Sequence, residues 1–148
     1  MTRLQTRAAW FQDVLRKYKR IAIVGGPTRG KTTLSTLALG RKVIHADDFI
    51  EKDAPDPKEA WSRQSARLRD AMNAETDFVA EGVAVARALR KGADVDCVVY
   101  LVEPCEGATA KHEQGAKATR TIVAEWYATH KHIPVLQAPP PDSSLSNV

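Results

Sequence analysis

The chain has 148 residues, 43% of them apolar and 27% charged, which suits one soluble globular domain and leaves no room for two of average size. No run approaches the roughly 18 continuous apolar residues that cross a bilayer, and residues 1–20 lack the apolar centre of a signal peptide, so a cytoplasmic protein without a membrane partner is expected. The net charge of +4 is uneven: Arg3, Arg7, Arg16, Lys17, Lys19 and Arg20 stand against Asp13 alone in residues 1–20, a net of +5, so residues 21–148 sum to −1.

The spacing of Leu4, Ala8, Phe11, Val14 and Tyr18 predicts a helix over 2–18. Its basic residues read either as a solvated face on a docked helix or as a surface for a polyanion such as DNA. Residues 21–24 read as a short buried strand, 31–39 as a helix stopped by Gly40, and 42–45 as a second strand. After the breaker-rich DAPDP, residues 58–73 have helical composition, with Trp61, Ser65, Leu68 and Met72 along one face. Residues 77–80 form the third expected strand, 83–90 a helix ended by Gly92, and 97–102 a β-branched strand closed by Pro104. Residues 116–130 return to helix and 133–136 make a last strand, while the tail APPPDSSLSNV, 138–148, is too polar and proline-rich to order itself. The expectation is a single α/β domain over 1–137, a doubly wound parallel sheet of about five strands with helices on both faces. Ligands of such sheets bind beyond the strand C-termini. Of the two cysteines, Cys97 falls in an apolar run and Cys105 just after it, without disulfide density or metal-ligand spacing, so both should be reduced.

The stretch IAIVGGPTRGKTTLS, residues 21–35, carries the chemistry. Gly25, Gly30, Lys31 and Thr32 fit G-x-x-x-x-G-K-[ST] between an expected strand and an expected helix. Gly25 and Gly30 allow successive N–H groups to turn toward an anion, and the following helix adds its positive end. Gly25, Gly26, Pro27, Thr28, Arg29, Gly30, Lys31, Thr32 and Thr33 form the expected nucleotide-binding loop, with Lys31 on the β- and γ-phosphates and Thr32 on Mg²⁺. The N-K-x-D guanine-reading motif and the L-S-G-G-Q signature do not occur in these 148 residues.

Two acidic stretches follow at expected strand ends. VIHADDF supplies Asp47 and Asp48, one of which can accept the proton of an attacking hydroxyl while a neighbour acts through the metal, or which only cap the following turn. FVAEG supplies Glu81, which can bind Mg²⁺ through water, hold the acceptor, or cap the next helix. His45, His112, His130 and His132 have no ligand spacing, and Trp61 and Trp126 fall at helical positions where core packing is the commoner role.

In order and content, GGPTRGKTTLS, VIHADDF and FVAEGV resemble small P-loop kinases of the nucleoside and polynucleotide kinase group, nicotinamide riboside and uridine kinases among them. The resemblance covers roughly residues 20–103, and within the group it is nearest to phage-type kinases that phosphorylate hydroxymethylpyrimidines such as hydroxymethyluracil in DNA. It implies ATP and Mg²⁺ as cofactors, a hydroxyl acceptor that includes modified DNA, Asp47 as catalytic base and metal neighbour, and Glu81 at the metal or substrate. It also implies a basic lid, for which CEGATAKHEQGAKATR, 105–120, is the candidate, with Lys111, Lys117 and Arg120. The family's lid is arginine-rich and this one holds Arg120 alone, so Arg120 or Arg87 would serve as the cation, with Asp48 and Arg87 beside the acceptor.

Overall fold

In the computed structural model the described residues are 7–25, 38, 40–51, 55–101 and 110–138. Helix α1 (Arg7–Lys17) leads into β1 (Arg20–Gly25), and β2 (Lys42–His45) runs into a single 3₁₀ turn at Ala46–Phe49. Then come α2 (Pro57–Asn73), β3 (Phe78–Glu81), α3 (Val85–Arg90), β4 (Cys97–Leu101), α4 (Ala110–Thr129) and β5 (Val135–Gln137). Helix α2 starts where the sequence offers both an N-cap and an N1 proline. The Asp56 carboxylate accepts a 3.0 Å hydrogen bond from the Lys58 N–H, and Pro57 has no N–H to leave unpaired.

The strands form one all-parallel sheet in the order β2-β3-β1-β4-β5. The connections β2→β3, β3→β4 and β4→β5 all step the same way across it, so the right-handed crossover rule places α2, α3 and α4 on one face. There Leu68, Met72, Val85, Leu89, Val123 and Trp126 close over Ala22, Val24, Ile44, Ala80 and Val98. The connection β1→β2 steps the other way. Ala38, near its end, is buried on the opposite face, where Phe11 and Val14 of α1 cover Ile21, Ile23, Val79, Cys97 and Val99.

The chain order and the α/β architecture agree with the sequence reading, with differences that have physical causes. Strand β3 ends at Glu81 rather than Ala80, so the acidic residue is still within the ladder, opposite Ile23 of β1. Helix α4 begins at Ala110, so residues 110–120 of the expected lid are helical, and 105–109 lie outside the described residues. The expected helix over 31–39 also lies outside them apart from Ala38, although Gly40 does adopt the left-handed φ of 77° suited to a helix stop. On α2 the expected face is half right. Ser65, Leu68 and Met72 are buried together with Ala60 and Gln64, but Trp61 is 57% exposed. As the crossover to the start of β3, α2 runs down from the sheet's C-terminal edge, and Arg87 of α3 lies over the Trp61 ring.

One glycine has a role that no other residue can fill. Gly82 leaves β3 at φ +132°, and a Cβ there would collide with the Ala46 Cβ just beyond β2. Gly82→Ala is expected to lower stability by about 2–4 kcal/mol, combining left-handed strain with overpacking. Adding Ala46→Gly should return part of the loss, because it removes the overlap but not the strain; urea unfolding of the single and double variants measures both.

Candidate functional site

The two neighbouring strands β1 and β3 send their chains to opposite faces of the sheet. Between their C-terminal ends lies the crevice in which open α/β sheets bind ligands. Gly25, the first residue of the G-x-x-x-x-G-K-[ST] motif, closes β1 and is buried; Gly26, Pro27, Thr28, Arg29, Gly30, Lys31, Thr32 and Thr33 lie outside the described residues. Glu81 closes β3 on the other side of the same crevice. It is 5% exposed, and its Oε2 lies 2.6 Å from Nδ1 of His45. The parallel register explains the pair: His45 and Glu81 are opposite each other at the ends of β2 and β3. A carboxylate so placed offers the hard oxygen donor that magnesium takes alongside substrate phosphates.

Asp47 and Asp48 follow on the 3₁₀ turn, both exposed. Because β3 lies between β1 and β2, they stand about 10 Å across the sheet from β1, two strand spacings away. Among the described residues neither carboxylate has a hydrogen-bond or ion-pair partner, and the turn's N-cap residue, His45, makes no side-chain cap. The turn is positioned from behind. Gln64 of α2, itself buried, donates 2.9 Å from Nε2 to the Ala46 carbonyl, and Arg63 holds Glu51 just after the turn.

Arg87 lies in the first turn of α3, above the same edge, half-buried and 5.7 Å over the ring of Trp61. Burial pushes its pKa below the ordinary guanidinium value and Arg90 adds to this, though an arginine remains cationic at neutral pH. Arg120 is exposed on α4 with no partner among the described residues. Helix α4 is about 30 Å long against about 17 Å for β4, so its N-terminal portion stands beyond the sheet edge and Arg120 falls near that level. Lys117 is also exposed on this helix. Among the described residues no group of three or more His, Cys, Asp or Glu is gathered to hold a metal, and no helix is long and apolar enough to cross a membrane.

The basic N-terminal residues are elsewhere. Arg16, Lys17, Lys19 and Arg20 surround the start of β1, at the sheet edge opposite the crevice. Two of them are engaged within the chain: Arg16 pairs with Asp13, and Arg20 grips Asp96 through its backbone N–H, Nε and Nη2. Three residues that shape the site were given no role in it by the sequence: His45 lacked ligand spacing, Trp61 read as a core residue, and Gln64 belonged to no motif. His45 becomes visible only through strand register, and Gln64 through the packing of α2.

No family model matches the chain. It is 31% identical over 105 residues to GTPase Der from Mycolicibacterium vanbaalenii, an alignment covering 66% of this chain and 21% of that protein, so it spans about a fifth of the relative's length. This partial similarity and the all-parallel α/β sheet are compatible with a P-loop nucleotide-binding protein.

His45 is expected to hold Glu81 in place. His45→Ala should cost about 1–2 kcal/mol at neutral pH, the loss of a hydrogen bond to a buried charged group, and urea denaturation checks it. His45→Asn, which keeps a donor near the carboxylate, should recover part of that loss.

Proposed function

We propose that the protein is a phosphotransferase that moves the γ-phosphate of ATP to a hydroxyl of a nucleoside- or nucleotide-type acceptor, the hydroxymethyl group of a modified pyrimidine in DNA included. The observation that carries the reading is the exposed Asp47 carboxylate, without a partner among the described residues, on the edge where the phosphate-loop motif begins, with buried Glu81 between them. A protein that only binds a nucleotide has no use for a free carboxylate at that place. The separation of about 10 Å between β1 and β2 leaves room for a phosphoryl group and an acceptor hydroxyl between loop and base.

In this mechanism the Asp47 carboxylate accepts a hydrogen bond from the acceptor hydroxyl and takes its proton as the oxygen attacks the γ-phosphorus. The new P–O bond forms as the bond to the β-phosphate oxygen breaks, and ADP departs with the electron pair. Lys31 and the loop N–H groups balance the charge on the transferring group, and Arg120 or Arg87 supplies a further cation from above. Thr32, Asp47 and Glu81 are the residues that would hold Mg²⁺, which would supply charge neutralisation on the phosphates.

ATP rather than GTP is favoured by the missing N-K-x-D motif. A second reading, nucleotide hydrolysis, is favoured by the similarity to a protein named as a GTPase, and there water takes the acceptor's place. A third, a nucleotide-dependent DNA-binding module with little catalysis, draws on the basic N-terminus, which lies away from the crevice.

Labelled ATP or GTP, offered with nucleosides, nucleotides and hydroxymethylpyrimidine DNA, is expected to yield a phosphorylated acceptor from ATP. Release of inorganic phosphate alone, unchanged by any acceptor, would favour hydrolysis. Asp47→Asn should lower kcat by roughly 10²-fold or more with ATP affinity nearly unchanged; equal losses in both would move Asp47 to the metal. Lys31→Ala should remove turnover and most nucleotide affinity, because it deletes the motif's side-chain cation. Ordinary activity in that variant, read by the same assay, would remove the loop from the chemistry.

A further inference from the structure

Among the described residues, four large apolar side chains are exposed: Ile50, Trp61, Val83 and Tyr127. Three of them share the sheet's C-terminal edge. Ile50 follows the turn after β2, Val83 follows β3, and Trp61 leads α2, one helical turn above the Gln64 that bonds to Ala46. All three follow or lead elements at this one edge, the edge where open α/β sheets bind ligands.

Arg87 adds a second, independent sign. Five arginines are half-buried among the described residues: Arg20, Arg41, Arg63, Arg69 and Arg87. The first four each hold a carboxylate, of Asp96, Asp77, Glu51 and Asp70 respectively. Arg87 holds none among the described residues; its contact is the face of Trp61 at 5.7 Å, and Arg90 lies close enough to disfavour its charge. A part-desolvated cation without a counter-ion is costly unless an anion completes it. Arg87 lies over the indole at 5.7 Å, and Trp61 is still 57% exposed, so much of this residue is open to solvent.

We propose that Trp61 and Arg87 form a subsite for a planar heteroaromatic ring that bears a phosphate, the ring stacking on Trp61 and the phosphate meeting the guanidinium of Arg87. The ligand chemistry is that of a nucleotide, either free or within a single strand. Arginine suits this task because its fork matches two phosphate oxygens, and the same planar group can rest on an aromatic face while doing so. Resting on the reading above, the subsite names the acceptor as a phosphorylated nucleoside rather than a neutral one. It lies on the Asp47 side of the crevice, so a ring seated there can present its substituents to that carboxylate. Asp47 and Asp48 on the neighbouring turn set a limit on the phosphate, which must stay on the Arg87 side.

The test is direct binding by the full chain without any triphosphate, followed by calorimetry and tryptophan fluorescence. The probes are a pyrimidine nucleoside 5′-monophosphate, the matching nucleoside, inorganic phosphate, and a short single-stranded oligonucleotide. The monophosphate or the oligonucleotide is expected to bind at least about 10-fold more tightly than the nucleoside, in line with a charge-assisted contact. Trp61→Ala should weaken that binding about 10-fold or more, as loss of one stacking platform does, and Trp61→Phe should restore most of it. Arg87→Gln should bring phosphorylated and neutral ligands to similar affinity; Trp61, being exposed, keeps the test sound if the arginine variant fails to fold. Binding by the oligonucleotide alone assigns the subsite to a strand, and binding by the monophosphate assigns it to a free nucleotide. Equal affinity for nucleoside and monophosphate, or binding unchanged in Trp61→Ala, would overturn the subsite even if phosphate transfer is active. Trp61-dependent binding without transfer to any acceptor would instead sustain the subsite and remove the kinase reading.

Discussion

The candidate site depends on a position where no side chain can stand. Gly82 brings the exit of β3 against Ala46, so the turn holding Asp47 and Asp48 packs directly on the strand that holds Glu81. Other contacts secure the same junction. His45 meets Glu81 across the last rung of the ladder, and Gln64 pins the Ala46 carbonyl from the helix behind. A larger residue at position 82 would push against Ala46, so the spacing of the two acidic elements and the stability of the fold are tied to the same contact.

The sheet order gives that junction its chemical setting. With β3 between β1 and β2, the buried glutamate is next to the phosphate-loop strand and the exposed aspartates are one strand further out. Burial suits a group that must keep one position beside a charged ligand, and exposure suits one that must meet an incoming hydroxyl. The apolar rim of Ile50, Trp61 and Val83 lies on the aspartate side, so the two halves of the edge differ in character as well as in charge.

The sequence disclosed what repeats or is local. Alternation of short β-branched runs with amphipathic stretches led to the parallel α/β sheet, and the breaker-rich DAPDP put the start of α2 at 58, one residue from its observed start at Pro57. Three features escaped because they are set by tertiary contacts. Trp61 sits at core-like spacing and yet is exposed, with Arg87 over its ring. His45 has no metal-ligand spacing, and strand register alone gives it a partner. The expected helix began only at 116, after a polar, glycine-containing stretch, yet α4 runs from Ala110, where helix propagation from the packed segment around Ile122 and Val123 outweighs weak local preference.

Cys97 offers a different kind of consequence. It lies fully buried at the start of β4 beneath Phe11 and Val14, and burial, with Asp96 alongside, pushes its thiol up to about 12. At neutral pH almost no thiolate exists to react. A thiol reagent therefore reaches this sulfur only after α1 has lifted away or the sheet has opened. Helix α1 is tethered at its C-terminal end by Arg41, which donates to the carbonyls of Leu15 and Tyr18 while also gripping Asp77. The alkylation rate of Cys97 thus reports how often this face of the sheet opens, and the Arg41 tether and the buried Phe11 and Val14 are what oppose it.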